Sequence, residues 1–273
     1  ARRVAARRPS NEPRPRRLTH HGGEAVGPRY SPDGARVVFS ASSPVDGPRV
    51  RSLNLDTGVE RVLLDDTLSQ AVAFTPGGEA FYFQQTEINQ RFYRHDQLLR
   101  YELGSGTVSR VTLASGTVGF LAPSGALRAR DPDVTPDGAA LVFVQTRRAV
   151  NRLVLAELSP DGIRPKVMVP GEPDVQLASP RFDPAGGRVA VSRFARGRRD
   201  VVIYDRSGRL VLEVTRDRAQ DVDPAWSPDG RWLVYASDRS DIYQLYALDL
   251  EGDLGLRQLT HLVTGAFQPD ISP

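Results

Sequence analysis

The stretch Asp223–Ser240, "DPAWSPDGRWLVYASDRS", sets an aromatic residue just before Ser-Pro-Asp-Gly and an apolar run just after it. Pro at the second position of such a turn presets φ, and Asp-Gly supplies a polar cap and a residue that tolerates positive φ. The run "WLVY" has the pattern of a half- or fully buried strand. The segment therefore predicts a β-hairpin.

It recurs along the chain. "GPRYSPDGARVVFS" begins at Gly27, "AVAFTPGGEAFYF" at Ala71, "DPDVTPDGAALVFV" at Asp131 and "SPRFDPAGGRVAVS" at Ser179, and "QPDISP" closes the sequence. The turn opens at Ser31, Thr75, Thr135, Asp183, Ser227 and Ser272, at spacings of 44, 60, 48, 44 and 45 residues. A large apolar residue precedes each turn: Tyr30, Phe74, Val134, Phe182, Trp226 and Ile271. Further on, "LNLDTG", "YELGSG", "AELSPDG", "IYDRSG" and "LDLEG" each end a third strand in a Gly turn. A fourth short strand follows, as in "RVLL" at Arg61 or "LEVT" at Leu212. Repeated units of four antiparallel strands read as the blades of an all-β propeller. No segment carries a long 3.6-residue period, so helix is expected to be scarce. The column Tyr30, Phe74, Phe182 and Trp226 is expected to pack between blades.

The segment from Asp223 to Thr260 resembles the WD-like propeller repeat of the bacterial TolB family, and the similarity runs from about Arg17 to the C-terminus. The expected domains are a basic linker at 1–13 and a propeller at 14–273. Its five full blades fall at about 27–66, 70–115, 131–171, 179–217 and 223–262. "RRLT" at Arg16–Thr19 matches a fourth strand without its first three, and 267–273 matches a first strand without the rest. These predict an incomplete sixth blade in a six-fold ring; the competing arrangement is a closed five-fold ring with both segments stacked outside it. "TPGG" and "DPAGG" depart from the pattern by losing the turn Asp, and those two turns are expected to be weaker.

The 273 residues are 40% hydrophobic and 25% charged, ordinary values for a folded domain. No apolar run approaches the roughly 18 residues that span a bilayer. With no Cys, disulfide and thiolate chemistry are excluded. The net charge is +3, but residues 1–17 hold seven Arg against Glu12, so the body is mildly acidic. No aromatic interleaves those arginines, and no nucleic-acid partner is expected.

Motifs for catalysis are absent: there is no Gly-x-Ser-x-Gly, no phosphate loop and no His-Glu-x-x-His. His20 and His261 echo each other behind a Leu-Thr and read as structural. Asp131, Asp133 and Asp137 lack the spacing of a calcium loop. Neither a metal nor a cofactor is expected, and no catalytic residue is assigned.

Binding is expected on the face that carries the long connections. These are "SASSPVDGPR", "QQTEINQRFYRHDQ" and "ASGTVGFLAPSGALRAR", and long loops on a rigid scaffold commonly carry recognition. The candidates there are Arg91, Phe92, Tyr93 and Arg94 in the second connection, since aromatic plus Arg is hot-spot chemistry. Near the central channel they are Arg29, Asp131, Asp133, Arg181, Asp223 and Asp270, for which inter-blade ion pairing is the competing role.

The resemblance implies a non-catalytic protein-interaction module of a larger envelope or secreted bacterial protein, periplasmic or associated with the outer membrane, whose partner is a protein or peptide. The alternative is a gating or substrate-binding propeller for a peptidase domain outside this chain. A third reading is a sugar- or metal-assisted enzyme working in the channel.

Overall fold

A computed structural model describes residues 15–20, 23–45, 47–67, 69, 71–89, 93–121 and 126–273, with backbone alone at 88, 89 and 93. The basic segment 1–13 lies outside the described residues. Among those described there are twenty strands and no helix. They form five antiparallel sheets of four strands, each ordered as a simple meander.

Blade one comprises β1 (Glu24–Tyr30), β2 (Arg36–Ser43), β3 (Gly47–Asn54) and β4 (Glu60–Leu64). Blade two comprises β5 (Val72–Phe74), β6 (Ala80–Asn89), β7 (Tyr93–Glu102) and β8 (Val108–Arg110). Blade three comprises β9 (Ala129–Val134), β10 (Ala140–Arg147), β11 (Val150–Ser159) and β12 (Gly162–Val169). Blade four comprises β13 (Gln176–Phe182), β14 (Arg188–Ala195), β15 (Arg198–Asp205) and β16 (Leu210–Glu213). Blade five comprises β17 (Asp221–Trp226), β18 (Trp232–Ser237), β19 (Gln244–Asp249) and β20 (Leu256–Gln258). The opening stretch is the β17–β18 hairpin, with Trp226 opposite Leu233. The first strands β1, β5, β9, β13 and β17 neighbour one another in that order and so stand innermost.

Each blade is apolar on both faces of its middle strands, and the cores form between blades. Val38 and Val50 meet Phe81 and Phe83 of blade two, and Tyr82 and Leu98 meet Leu141 and Phe143 of blade three. Val142 and Leu153 meet Phe182 and Val191, and Val201 and Ile203 meet Trp226 and Tyr235. Burying such a side chain contributes about 1.5–3 kcal/mol, so stability accrues at the interfaces and no blade holds it alone. The Trp226 indole N–H also donates to the Arg181 carbonyl at 3.1 Å. Tyr30 departs from its column. Its neighbours Val37, Phe39, Ala41 and Leu53 all belong to blade one, which has no four-stranded sheet on that side.

The two irregular turns are not bare. In "DPAGG", Asp183 Oδ1 accepts the amides of Gly187 and Arg188, at 2.8 and 2.9 Å. The Asp has moved from the third position of the turn to the first. In "TPGG", Glu79 accepts its own amide and, after it, the Thr75 hydroxyl, which lowers its pKa. The lost Asp is thus replaced from nearby positions.

Much of the two connections expected as loops is strand. β2 and β3 pair out to Ser43–Gly47, and β6 and β7 out to Asn89–Tyr93, which makes each a long hairpin. Cross-strand bonds such as Thr86 Oγ1 to Asp96 Oδ1 at 2.7 Å continue the ladder with polar residues, where the apolar pattern no longer signals strand.

Neither 16–19 nor 267–273 forms a strand in a sheet. The C-terminal segment is nonetheless placed between blades five and one. Ala266 N donates to Tyr243 O at 2.8 Å, and the Phe267 and Tyr243 rings lie 4.5 Å apart. On the other side Gln268 Oε1 accepts from Gly27 N at 2.7 Å and Asp270 Oδ2 from Tyr30 N at 2.7 Å.

Candidate functional site

Four of the five innermost strands, β1, β9, β13 and β17, carry the same local irregularity, and β5 pairs without it. Register shifts between Val26 and Arg29, Ala178 and Arg181, and Val222 and Ala225 mark β-bulges. The bulged residue has positive φ: Gly27 at 61°, Asp131 at 52°, Ser179 at 51° and Asp223 at 55°. Gln268 matches them at 50°. A bulge of this type re-aims the side chains beside it, and here it gathers one polar ring around the channel.

Arg29 holds that ring together. Its Nη2 bonds Asp133 Oδ1 at 2.5 Å, its Nη1 bonds Asp270 Oδ1 at 3.0 Å, and its Nε bonds the Val72 carbonyl at 2.9 Å. Burial opposes the cation, yet the two carboxylates outweigh that and raise its pKa. Asp133 Oδ2 accepts the Phe182 amide at 2.8 Å, as Asp270 Oδ2 accepts that of Tyr30. Asp131 Oδ2 takes the Ser179 amide and the Arg130 guanidinium, while Arg130 Nη2 reaches the Leu177 carbonyl at 2.8 Å. Arg29, Asp131, Asp133 and Asp270 are therefore bound up in contacts between repeats.

Arg181 and Asp223 are held less completely. Asp223 Oδ1 accepts the Ser179 hydroxyl at 2.8 Å, and burial pushes its carboxyl upward. Arg181 Nη1 stays 3.7 Å from Asp133 Oδ1. Both face a 200 Å³ cavity together with Arg130, Asp131, Ser179 and Gln268.

Beside it opens a 330 Å³ recess that shares Arg130 and Asp223 and is lined by Phe194, Arg199, Tyr243 and Phe267. Phe267 is 52% exposed. The Arg199 guanidinium lies 6.0 Å from the Phe194 ring centre. This cluster escaped the sequence reading because its rings come from blades four and five and the C-terminal segment. The only signal was Phe267 at the head of "FQPDISP". A larger groove of 570 Å³ lies at the rim between blades two and three. Its charges Arg100, Arg110 and Asp161 are paired with Glu102, Glu87 and Arg164.

Of the other candidates, Arg91 and Phe92 lie outside the described residues. Tyr93 and Arg94 open β7 at the hairpin tip, apart from the channel ring, with Arg94 exposed. Among the described residues no group of three His, Cys, Asp or Glu is arranged to hold a metal ion, and no helix is long and apolar enough to cross a membrane.

Five four-stranded antiparallel blades around a polar channel define a β-propeller. Residues 128–273 match the family model of the TolB beta propeller domain, and the chain belongs to that family. It is 34% identical over 106 residues to the "Uncharacterized peptidase YuxL" of Bacillus subtilis (strain 168), covering 36% of this chain and 16% of that protein. It is 28% identical over 132 residues to the TolB homolog of Chlorobium luteolum, covering 42% of this chain and 30% of that protein. The crystal structure of TolB from Acinetobacter baumannii superposes with a TM-score of 0.72 at 18% identity, over 94% of this chain and 59% of that one. The chain thus spans less than two thirds of the length of each of these relatives.

Proposed function

We propose that the chain is a non-catalytic protein-interaction propeller of a larger bacterial envelope or secreted protein, periplasmic or associated with the outer membrane. The observation that carries this reading is the exposed aromatic and arginine recess of Phe194, Arg199, Tyr243 and Phe267 beside a channel whose charges are largely occupied in joining blades. Tyr, Phe and Arg in a concave site are the anchors that protein interfaces favour. The tip Arg91–Arg94 is a second seat on the same partner. Residues 1–13 act as a basic linker.

The ring is six-fold, with 267–273 occupying, without sheet pairing, the innermost place of a sixth position. Gln268 has the backbone conformation of its counterparts, and Asp270 bonds blade one as Asp133 bonds blade four. A Cβ at Gly78 would stand 3.5 Å from Pro32, and one at Gly230 3.6 Å from Pro184, the turn Pro of the preceding blade. At Gly34 the neighbours are Ser272 and Pro273, at 3.5 and 3.7 Å.

Likeness to a peptidase over 106 residues favours a second reading, a gating propeller for a hydrolase domain. Immobilised chain incubated with a bacterial envelope extract separates the two. Wild type is expected to retain one defined protein, and Tyr243→Ser with Phe267→Ser to lose it at unchanged melting temperature. Phe92→Ser is expected to weaken capture less. Retention undiminished by the double variant would remove the recess as the seat.

A further inference from the structure

Arg181 projects from β13 beside the channel with its side chain 15% exposed. A guanidinium offers five N–H donors in a fixed fork. Arg181 makes no side-chain hydrogen bond to any described residue, and its Nε is enclosed without a partner. The carboxylates around it are already engaged. Asp133 gives Oδ1 to Arg29 and Oδ2 to the Phe182 amide, and Asp223 gives Oδ1 to Ser179. Desolvation, and then repulsion from Arg29, lowers the Arg181 pKa to about 10. A buried cation with unused donors is costly unless something accepts from it. The 200 Å³ cavity in front of it is where an acceptor can enter.

We propose that this cavity binds a carboxylate group, held by the Arg181 guanidinium. A planar carboxylate matches the planar fork and can take two parallel N–H bonds from it. Gln268 and Ser179 on the cavity wall add polar contacts for the atoms behind the carboxylate. The Ser179 hydroxyl donates to Asp223 on the same wall, which lessens its repulsion of an incoming anion. Asp131 does not repel strongly either, because Arg130 neutralises it. The volume admits the acidic end of a ligand and not a folded domain. The inference deepens the reading of this face as the docking face. It names the partner's anchoring group as a peptide C-terminal carboxylate, with a free small organic acid as the other source of the same chemistry.

The Arg Nε–H signals of the ¹⁵N-labelled chain provide the test, with that of Arg181 assigned by its loss in Arg181→Lys. Acetate, N-acetylglycine, N-acetylglycinamide and chloride are titrated at matched ionic strength. Both carboxylates are expected to shift the Arg181 signal saturably, and the amide and chloride to leave it in place. Saturation by N-acetylglycine at about tenfold lower concentration than acetate assigns the source to a peptide terminus; equal or tighter acetate binding assigns it to a small free acid. Carboxylate is also expected to raise the melting temperature of the wild type and not of Arg181→Gln. No shift, an equal shift with chloride, or undiminished stabilisation of Arg181→Gln would overturn the proposal. Partner capture lost in the recess variants while the carboxylate shift persists separates this site from the recess.

Discussion

At the scale of the residue, Asp249 shows how one carboxylate secures a turn. It ends β19, is almost wholly enclosed, and receives the Arg231 guanidinium through Oδ1 at 3.1 Å and Oδ2 at 2.8 Å. The amides of Glu251 and Leu254 donate to it as well. The Arg231 bonds, then the amides, lower its pKa to about 2. In an unfolded chain an Asp titrates near 3.9. Its contribution to stability is therefore present above about pH 4 and lost as pH falls toward 2. Asp249→Asn is expected to lower the melting temperature at pH 7 and to converge with the wild type near pH 2. Melting curves across that range check it, and a difference that persists at pH 2 would assign Asp249 a role other than charge. Residue chemistry of this kind was partly legible. "LDLEG" announced a turn, but that Arg231 from the preceding hairpin closes it was not, since the two are 18 residues apart.

At the scale of the element, the first hairpin of each blade depends on its turn, and the turns tolerate more substitution than their consensus suggests. Asp183 does in "DPAGG" what Asp33 does in "SPDG", from a different position. It also pairs Arg188 at 2.8 Å and is 3% exposed. Removing it leaves the Gly187 and Arg188 amides without their acceptor, so Asp183→Ala is expected to cost about 1–3 kcal/mol. Asp137, exposed in a regular turn, accepts the Ala139 amide at 2.9 Å, and its replacement by Ala is expected to cost less than that of Asp183. Urea titration of both variants checks the order. The strands themselves were readable from period-2 patterning. The outer ends of the β2–β3 and β6–β7 hairpins were not, because their ladder continues through polar residues.

At the scale of the whole molecule, the terminal segment is the unusual part. Residues 266–273 touch blade five through Tyr243 and blade one through Gly27, Tyr30 and Arg29. Deleting them would leave Arg29 with one carboxylate and expose the Gly27 and Tyr30 amides. A marked loss of thermal stability with increased self-association is expected, because open strand edges and uncovered blade faces invite pairing. Differential scanning calorimetry with light scattering tests this, and a deletion variant as stable and monodisperse as the parent would make the segment a mere appendage.

By itself the sequence determined the repeat, the hairpin at the head of each unit, the four strands and the count of five full blades. These follow from local chemistry: Pro and Gly at set places in a turn, and apolar residues alternating along a few successive positions. Only the tertiary structure decided the use of the channel charges. Arg29 meets Asp133 across 104 residues and Asp270 across 241, and no local pattern says which of several acids in equivalent positions each arginine will reach. That choice depends on how the blades are arrayed and on the bulges that turn the side chains beside them. The same arrangement leaves Arg181 beside a cavity and brings Phe194, Tyr243 and Phe267 to one recess. Ring geometry places these groups together, and it is a property of all the repeats at once.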